Sequence, residues 1–215
     1  MSPKLFSIAE KEQLREKMFL SGLELLKEYG MTHMSVEKIA AAAGIGKSTF
    51  YNFFMSKEDF VIQLIEFNRS RFWQVVSDML GGRERLTISE SKQVLTMIIN
   101  SKDSVYQYLT PEDEKKLATA SPDDSVPNIE EEIDTLKRLF GYFDDVREDV
   151  DFGVVSNLLK ILALTAENKT ILHESAYDRT QEKLFGLLFG CIFEEGQYGA
   201  PVRCSQYSGV KLPTR

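Results

Sequence analysis

The sequence predicts an all-α protein with a helix-turn-helix near its N-terminus, on three observations. Apolar residues recur at helical spacing along most of the chain. No convincing period-2 strand interrupts them, and no internal repeat is present. Residues 36–55 also meet the steric needs of two short helices crossed through a tight turn.

From Ile8 to Tyr29, Leu14, Met18, Leu25 and Leu26 follow a helical period, with small Ser21 and Gly22 between them. Gly30 is the expected left-handed cap of this helix. Ser35 is the expected N-cap of a short helix through Ala43, with Glu37 favourable in its first turn, and Gly44 breaks it. A second short helix fits Lys47 to Phe54. Ser56 then caps a longer one, with Glu58 and Asp59 in its first turn, which Gly81 and Gly82 stop after about Leu80. Ser89 to Ser101 is amphipathic, and Asp103 to Leu109 reads as a short helix. Pro111, followed by Glu112, Asp113 and Glu114, opens another to about Thr119. Ser121 to Pro127 reads as a loop. Ile129, Ile133, Leu136, Phe140 and Phe143 then step by 4, 3, 4 and 3 along one helical stripe. Two strongly apolar segments follow, Phe152 to Leu164 and Leu184 to Phe193. The stretch 196–215 carries Gly199, Pro201, Gly209 and Pro213 and is expected to be loose.

With 215 residues, 43% hydrophobic and 27% charged, the composition is that of a globular protein and excludes wholesale disorder. No run approaches the roughly 18 apolar residues of a membrane span. Met1 to Glu16 lacks the apolar core of a secretion signal. Cys191 and Cys204 make neither a disulfide framework nor a metal spacing, so a cytoplasmic location is expected. No phosphate loop, nucleophile elbow or paired Cys/His spacing is present. No catalytic residue, metal or cofactor is therefore expected, and His33 and His173 read as ordinary surface or core residues. The net charge is −7, yet residues 1–60 carry 8 basic and 8 acidic groups, so the whole surplus lies beyond them. Between Glu37 and Glu58 no acid occurs, while Lys38, Lys47 and Lys57 do. An acid-free, lysine-bearing window in an acidic protein is a local footprint for nucleic acid.

That window coincides with the helix-turn-helix. Ala40 is the small residue such a crossing needs, Gly44 the turn residue that accepts positive φ, and Ile39, Ala43, Ile45 and Phe50 the shared apolar face. On the second helix Phe50 and Phe54 lie on one side, while Ser48, Tyr51, Asn52 and Met55 project from the other. Asn52 has the donor and acceptor to pair with adenine, and Lys47, at the helix start, can reach guanine or a phosphate.

Ser35-Val36-Glu37-Lys38-Ile39-Ala40, Ala43-Gly44-Ile45, Ser48-Thr49-Phe50-Tyr51, Phe54 and Ser56-Lys57-Glu58-Asp59 together resemble the TetR family of transcriptional regulators over about residues 8–68. The resemblance implies a three-helix DNA-binding domain over 1–55, a connecting helix over 56–80, an effector-binding and dimerisation domain over 83–195, and a tail over 196–215. It also implies that Ser35, Thr49, Tyr51 and Lys57 hold the phosphate backbone of double-stranded DNA. Two positions depart from the family pattern. Gly46 stands where a polar cap is common, and Phe53 where His or Tyr is common.

Segments 152–164 and 184–193 are apolar on almost every side, as helices buried on both faces are, and Gly186 and Gly190 permit close approach. By resemblance they form a homodimer interface; within one chain they would be core helices. Trp73, Met97, Tyr106, Phe140 and Phe143 either line a pocket for a small apolar effector or are plain core. The leading expectation is a dimeric repressor released from a palindromic operator by an effector. The alternatives are a helical sensor or interaction protein that no longer binds DNA, and an all-helical enzyme, which the missing catalytic constellation disfavours.

Overall fold

The computed structural model describes residues 7–101, 105–120 and 129–194, except for the side chains of Tyr106 and residues 129–131. Among the described residues all regular elements are helical apart from two isolated backbone bridges, Leu86 with Phe143 and Val146 with Phe193. No helix among the described residues is long and apolar enough to cross a membrane. Two compact units emerge, Met1–Phe72 with Lys102–Val126, and Trp73–Ser101 with Pro127–Arg215. The expected loop at 121–127 and the tail at 196–215 lie outside the described residues.

The first unit begins with α1, Ile8–His33, whose Ser7 hydroxyl accepts the Glu10 N–H at 3.2 Å while the Glu10 carboxylate accepts the Ser7 N–H at 2.8 Å. Gly30 marks a break in this helix. It has φ 67° and ψ 169°, positive but extended rather than the left-handed cap expected, and the chain runs on helically through Met31 to His33. The helices α2, Val36–Ala43, and α3, Lys47–Phe50, follow, then α4, Lys57–Leu80, whose start is capped by Ser56 accepting the Asp59 N–H at 3.0 Å. At its far end Gly81 and Gly82 take φ 55° and 85°, stopping α4 where the sequence places the stop.

The core of this unit is aromatic. Phe19, Phe50, Phe54 and Phe60 are buried with ring centroids 4.9–5.7 Å apart, and Phe67 stacks on Phe19 at 4.9 Å. Val105 and Leu117 complete it. They come from a 3-10 helix, Val105–Tyr108, within the 103–109 expected to form a short helix, and from α6, Pro111–Ala120. The intervening helix α5, Ile88–Asn100, belongs to the second unit. Residues 105–120, grouped by sequence with the C-terminal region, therefore pack with the first unit. Buried Asp113 accepts the Thr32 hydroxyl of α1 at 3.3 Å and the Thr110 N–H at 3.1 Å.

In the second unit α5 starts at Thr87 through a reciprocal cap with Glu90. It packs on α8, Phe152–Glu167, which also packs on α7, Ile129–Phe140, and on α9, Glu174–Ile192. Leu95, Ile99, Leu139, Val155, Leu162, Leu188 and Ile192 form its centre. The stripe expected to run through Phe143 ends at Phe140. Gly141 turns the chain, and Phe143 reaches the core from a short bridge in which the Leu86 N–H donates to the Tyr142 carbonyl at 2.7 Å. Segments 152–164 and 184–193 are not buried all round in the single chain: Val154, Ile161, Leu164 and Leu187 are exposed.

Candidate nucleic-acid interface

The turn between α2 and α3 is built by backbone closure. Gly44 sits at φ 75° and ψ 32°, its N–H donates to the Ala41 carbonyl at 3.0 Å, and the Ile45 N–H reaches back to the Ala40 carbonyl at 2.9 Å. This 6→1 closure uses a residue without Cβ at the left-handed position and places Ile45 to pack beneath the turn. Ala40 is only 2% exposed and Ile39 fully buried. At the other end of α2, the Ser35 hydroxyl accepts the Lys38 N–H at 3.3 Å.

Helix α3 is shorter than the sequence suggested. It closes at Phe50, and Tyr51 to Phe53 continue as turns in which the Asn52 N–H donates to the Thr49 carbonyl at 3.1 Å and the Phe53 N–H to the Phe50 carbonyl at 2.9 Å. Tightening from i−4 to i−3 bonding lets both Phe50 and Phe54 sink into the aromatic core. The opposite face stays open as expected: Ser48, Tyr51, Asn52 and Met55 are exposed, and Thr49 half-buried. Gly46 at the N-cap provides no side-chain hydrogen bond. Phe53 is half-buried and packs beside Phe54 with centroids 6.2 Å apart, an apolar residue at the margin of the core.

Each lysine of the acid-free window has a partner inside the protein. Lys47 forms an ion pair with Glu37, which draws the Glu37 carboxyl below its ordinary pKa and lifts that of Lys47. Lys57 donates to the Met31 carbonyl at 2.9 Å. Lys38 donates to the His33 carbonyl at 3.1 Å and lies 3.9 Å from the centroid of the Tyr29 ring. Asp59 accepts the Met55 N–H at 2.7 Å and fixes the chain leaving α3.

Of the expected interface residues, Lys47, Ser48, Tyr51 and Asn52 are exposed on α3 and the turn after it, and Ser35 serves as a helix cap. Lys57 is half-buried and braces the end of α1. Sequence reading missed Glu37 as the partner of Lys47, because a pair ten residues apart across a turn matches no helical spacing.

The candidate effector residues fall elsewhere. Phe140 and Phe143 are buried and stacked at 5.2 Å, with Phe152 5.5 Å from the first and Phe193 6.4 Å from the second. Trp73 meets the Tyr142 ring edge-on at 6.2 Å beneath the Arg138 guanidinium at 4.1 Å. Met97 is half-buried on α5. The Tyr106 side chain lies outside the described residues. Among the described residues no cluster of His, Cys, Asp and Glu is arranged to hold a metal.

Residues 21–64 match the family model of bacterial regulatory proteins of the tetR family. An HTH-type transcriptional regulator of Bacillus subtilis (strain 168), YwcC, is 34% identical over 88 residues, 41% of this chain and 37% of its own length. The HTH-type transcriptional repressor NemR of Escherichia coli (strain K12) is 29% identical over 70 residues, 33% of this chain and 35% of its own. The matched stretch thus spans little more than a third of either relative. Over a longer reach, the chain in the SmeT–triclosan complex shares the fold, with a TM-score of 0.58 and 14% identity across 88% of this chain and 95% of that one.

Proposed function

We propose, from the premise that the helix-turn-helix domain of this chain belongs to the tetR family of bacterial regulatory proteins, that the protein is a dimeric transcriptional repressor released from a palindromic operator by a small apolar effector. The observation that carries the DNA-binding part is the face of α3: two phenylalanines anchor it from below, and Lys47, Ser48, Tyr51 and Asn52 stand exposed above. In a major groove, Asn52 pairs with adenine and Lys47 reaches guanine or phosphate, while Ser35, Thr49, Tyr51 and Lys57 hold the backbone. Residues 1–55 bind DNA, 56–80 connect, and 83–195, apart from the 105–120 that pack with the first unit, bind effector and partner.

The exposed apolar residues Val154, Ile161, Leu164 and Leu187 support a second copy of the chain as the partner. Two recognition helices then enter grooves about 34–36 Å apart. The effector reading rests on Trp73, Met97, Phe140 and Phe143 of the second unit and on the fold shared with a protein solved with triclosan; Tyr106 belongs to the first unit and stands apart from this set. A ligand that separates the recognition helices by a few ångströms breaks their match to two fixed grooves. Electrophoretic mobility shift against duplexes selected from a random pool, and against DNA upstream of the gene, tests the core of this reading. A salt-sensitive complex of two chains per palindrome is expected. A stable monomer with no affinity for any duplex overturns it.

A further inference from the structure

The acid-free window ends on its N-terminal side at Glu37, and the structure gives that residue a use the sequence did not suggest. It stands in the first turn of α2 and pairs with Lys47, the first residue of α3. Both side chains remain solvent-accessible, at 59% and 53%. The pair is therefore open to exchange with an anion from outside. It also bridges two helices where other restraint is thin. Helix α3 has four residues, and its N-cap, Gly46, contributes no side-chain hydrogen bond. The ion pair ties the start of α3 to α2 in place of a cap.

Among the described residues, Glu37 is the one carboxylate paired with a lysine of this window; Lys38 and Lys57 rest on main-chain carbonyls. A carbonyl leaves the charge of its lysine unneutralised, whereas a carboxylate cancels it. A phosphate oxygen offers Lys47 the same kind of acceptor with the same sign.

We infer that Glu37 is an intramolecular stand-in for phosphate: it holds Lys47 and α3 in place in the free protein and yields Lys47 to the DNA backbone on binding, so that it sets the sequence-independent part of the affinity. The inference rests on the DNA-binding reading above. Exchange of one anion for another makes the Lys47–phosphate contact weaker in net terms than a contact from a free lysine. It also takes up a cation at the released carboxylate, which partly offsets the counterions leaving the DNA.

The test is fluorescence anisotropy of the full chain on a labelled random-sequence duplex and on a duplex selected by the wild type, across a salt series. Glu37→Gln is compared with Glu24→Gln, an equal change of charge at an exposed residue of α1 paired with Lys27, and both with Lys47→Gln and the Glu37→Gln/Lys47→Gln double variant. Glu37→Gln is expected to tighten the random duplex by about two- to five-fold, the worth of one exposed ion pair. The slope of log affinity on log salt should steepen by up to about one. Glu24→Gln should change neither, and the gain should shrink in the Lys47→Gln background. Equal tightening by Glu24→Gln would reduce the effect to net charge and overturn the inference. So would unchanged or weaker binding by Glu37→Gln, which would make the carboxylate a brace or a base contact. In both cases a wild type that binds DNA leaves the broader reading standing. A wild type that binds no duplex removes that reading, and the inference with it.

Discussion

At Gly22 the backbone of α1 passes so close to Phe60 that an added Cβ would sit 2.4 Å from its ring. The ring has no room to yield, being fully buried with Phe19, Phe50 and Phe54 around it. Gly22→Ala should therefore lower stability by about 1–3 kcal/mol, seen as an earlier thermal unfolding midpoint. At the interface, Asn52→Ala should relax preference at one base pair per half-site, worth about 1–3 kcal/mol there, while leaving other positions unchanged. A selection from random DNA that returns the wild-type motif would show that Asn52 does not face bases. Lys57→Ala should weaken all sequences alike, but its bond to the Met31 carbonyl adds a folding cost of about 0.5–1.5 kcal/mol. These side-chain partners were not legible in the sequence. Met31 lies twenty-six residues from Lys57, and only the folded end of α1 brings its carbonyl there.

Helices differ in how plainly the sequence announces them. Helix α2 was legible at both ends, since Ser35 and Gly44 have local backbone and capping roles that need no tertiary partner. Helix α3 was not, because its early stop at Phe50 follows from the pull of Phe50 and Phe54 into a core assembled from α1 and α4. The start of α5 was read one residue late. Its cap is Thr87, whose hydroxyl accepts the Glu90 N–H at 3.3 Å while Glu90 accepts the Thr87 N–H at 2.9 Å and a two-pronged Arg83 at 2.8 and 3.1 Å. Arg83 first, then the Thr87 bonds, pull the Glu90 carboxyl down to about 2. Since this lies below the ordinary value of 4.5, the stabilisation is present above about pH 4.5 and drains away as pH falls toward 2. Partial exposure of the Glu90 side chain, 28%, screens the pair and keeps the effect small. Glu90→Gln should cost about 0.5–2 kcal/mol at neutral pH and flatten the acid limb of the stability curve, measured by urea unfolding between pH 2 and 7.

For the whole molecule, the all-α class and the position of the helix-turn-helix were legible because both follow from local periodicity and turn chemistry. The division into units was not, since residues 105–120 join the first unit through the 105–108 turn against α1 and a hydrogen bond between Thr32 and Asp113, eighty-one residues apart. The closing helices hold the remaining consequence. On α8, Val155, Leu158, Leu159 and Leu162 face the core, while Val154, Ile161 and Leu164 form a second stripe seven and three residues apart on the solvent side. Leu187 of α9 is 55% exposed in the same unit. A charge placed on an inward residue would unfold the unit, but one placed on this outer stripe meets only water in the isolated chain. The double substitution Leu164→Glu/Leu187→Glu should therefore leave helical content and thermal unfolding of the monomer intact while converting a sedimenting dimer to a monomer. Loss of pairing should then weaken binding to a palindrome far more than to a single half-site, because the second half-site contact is no longer intramolecular. Unchanged sedimentation of the double variant as a dimer would move the interface off this stripe. An equal loss on both DNAs would mean that pairing through α8 and α9 is not what aligns the two recognition helices.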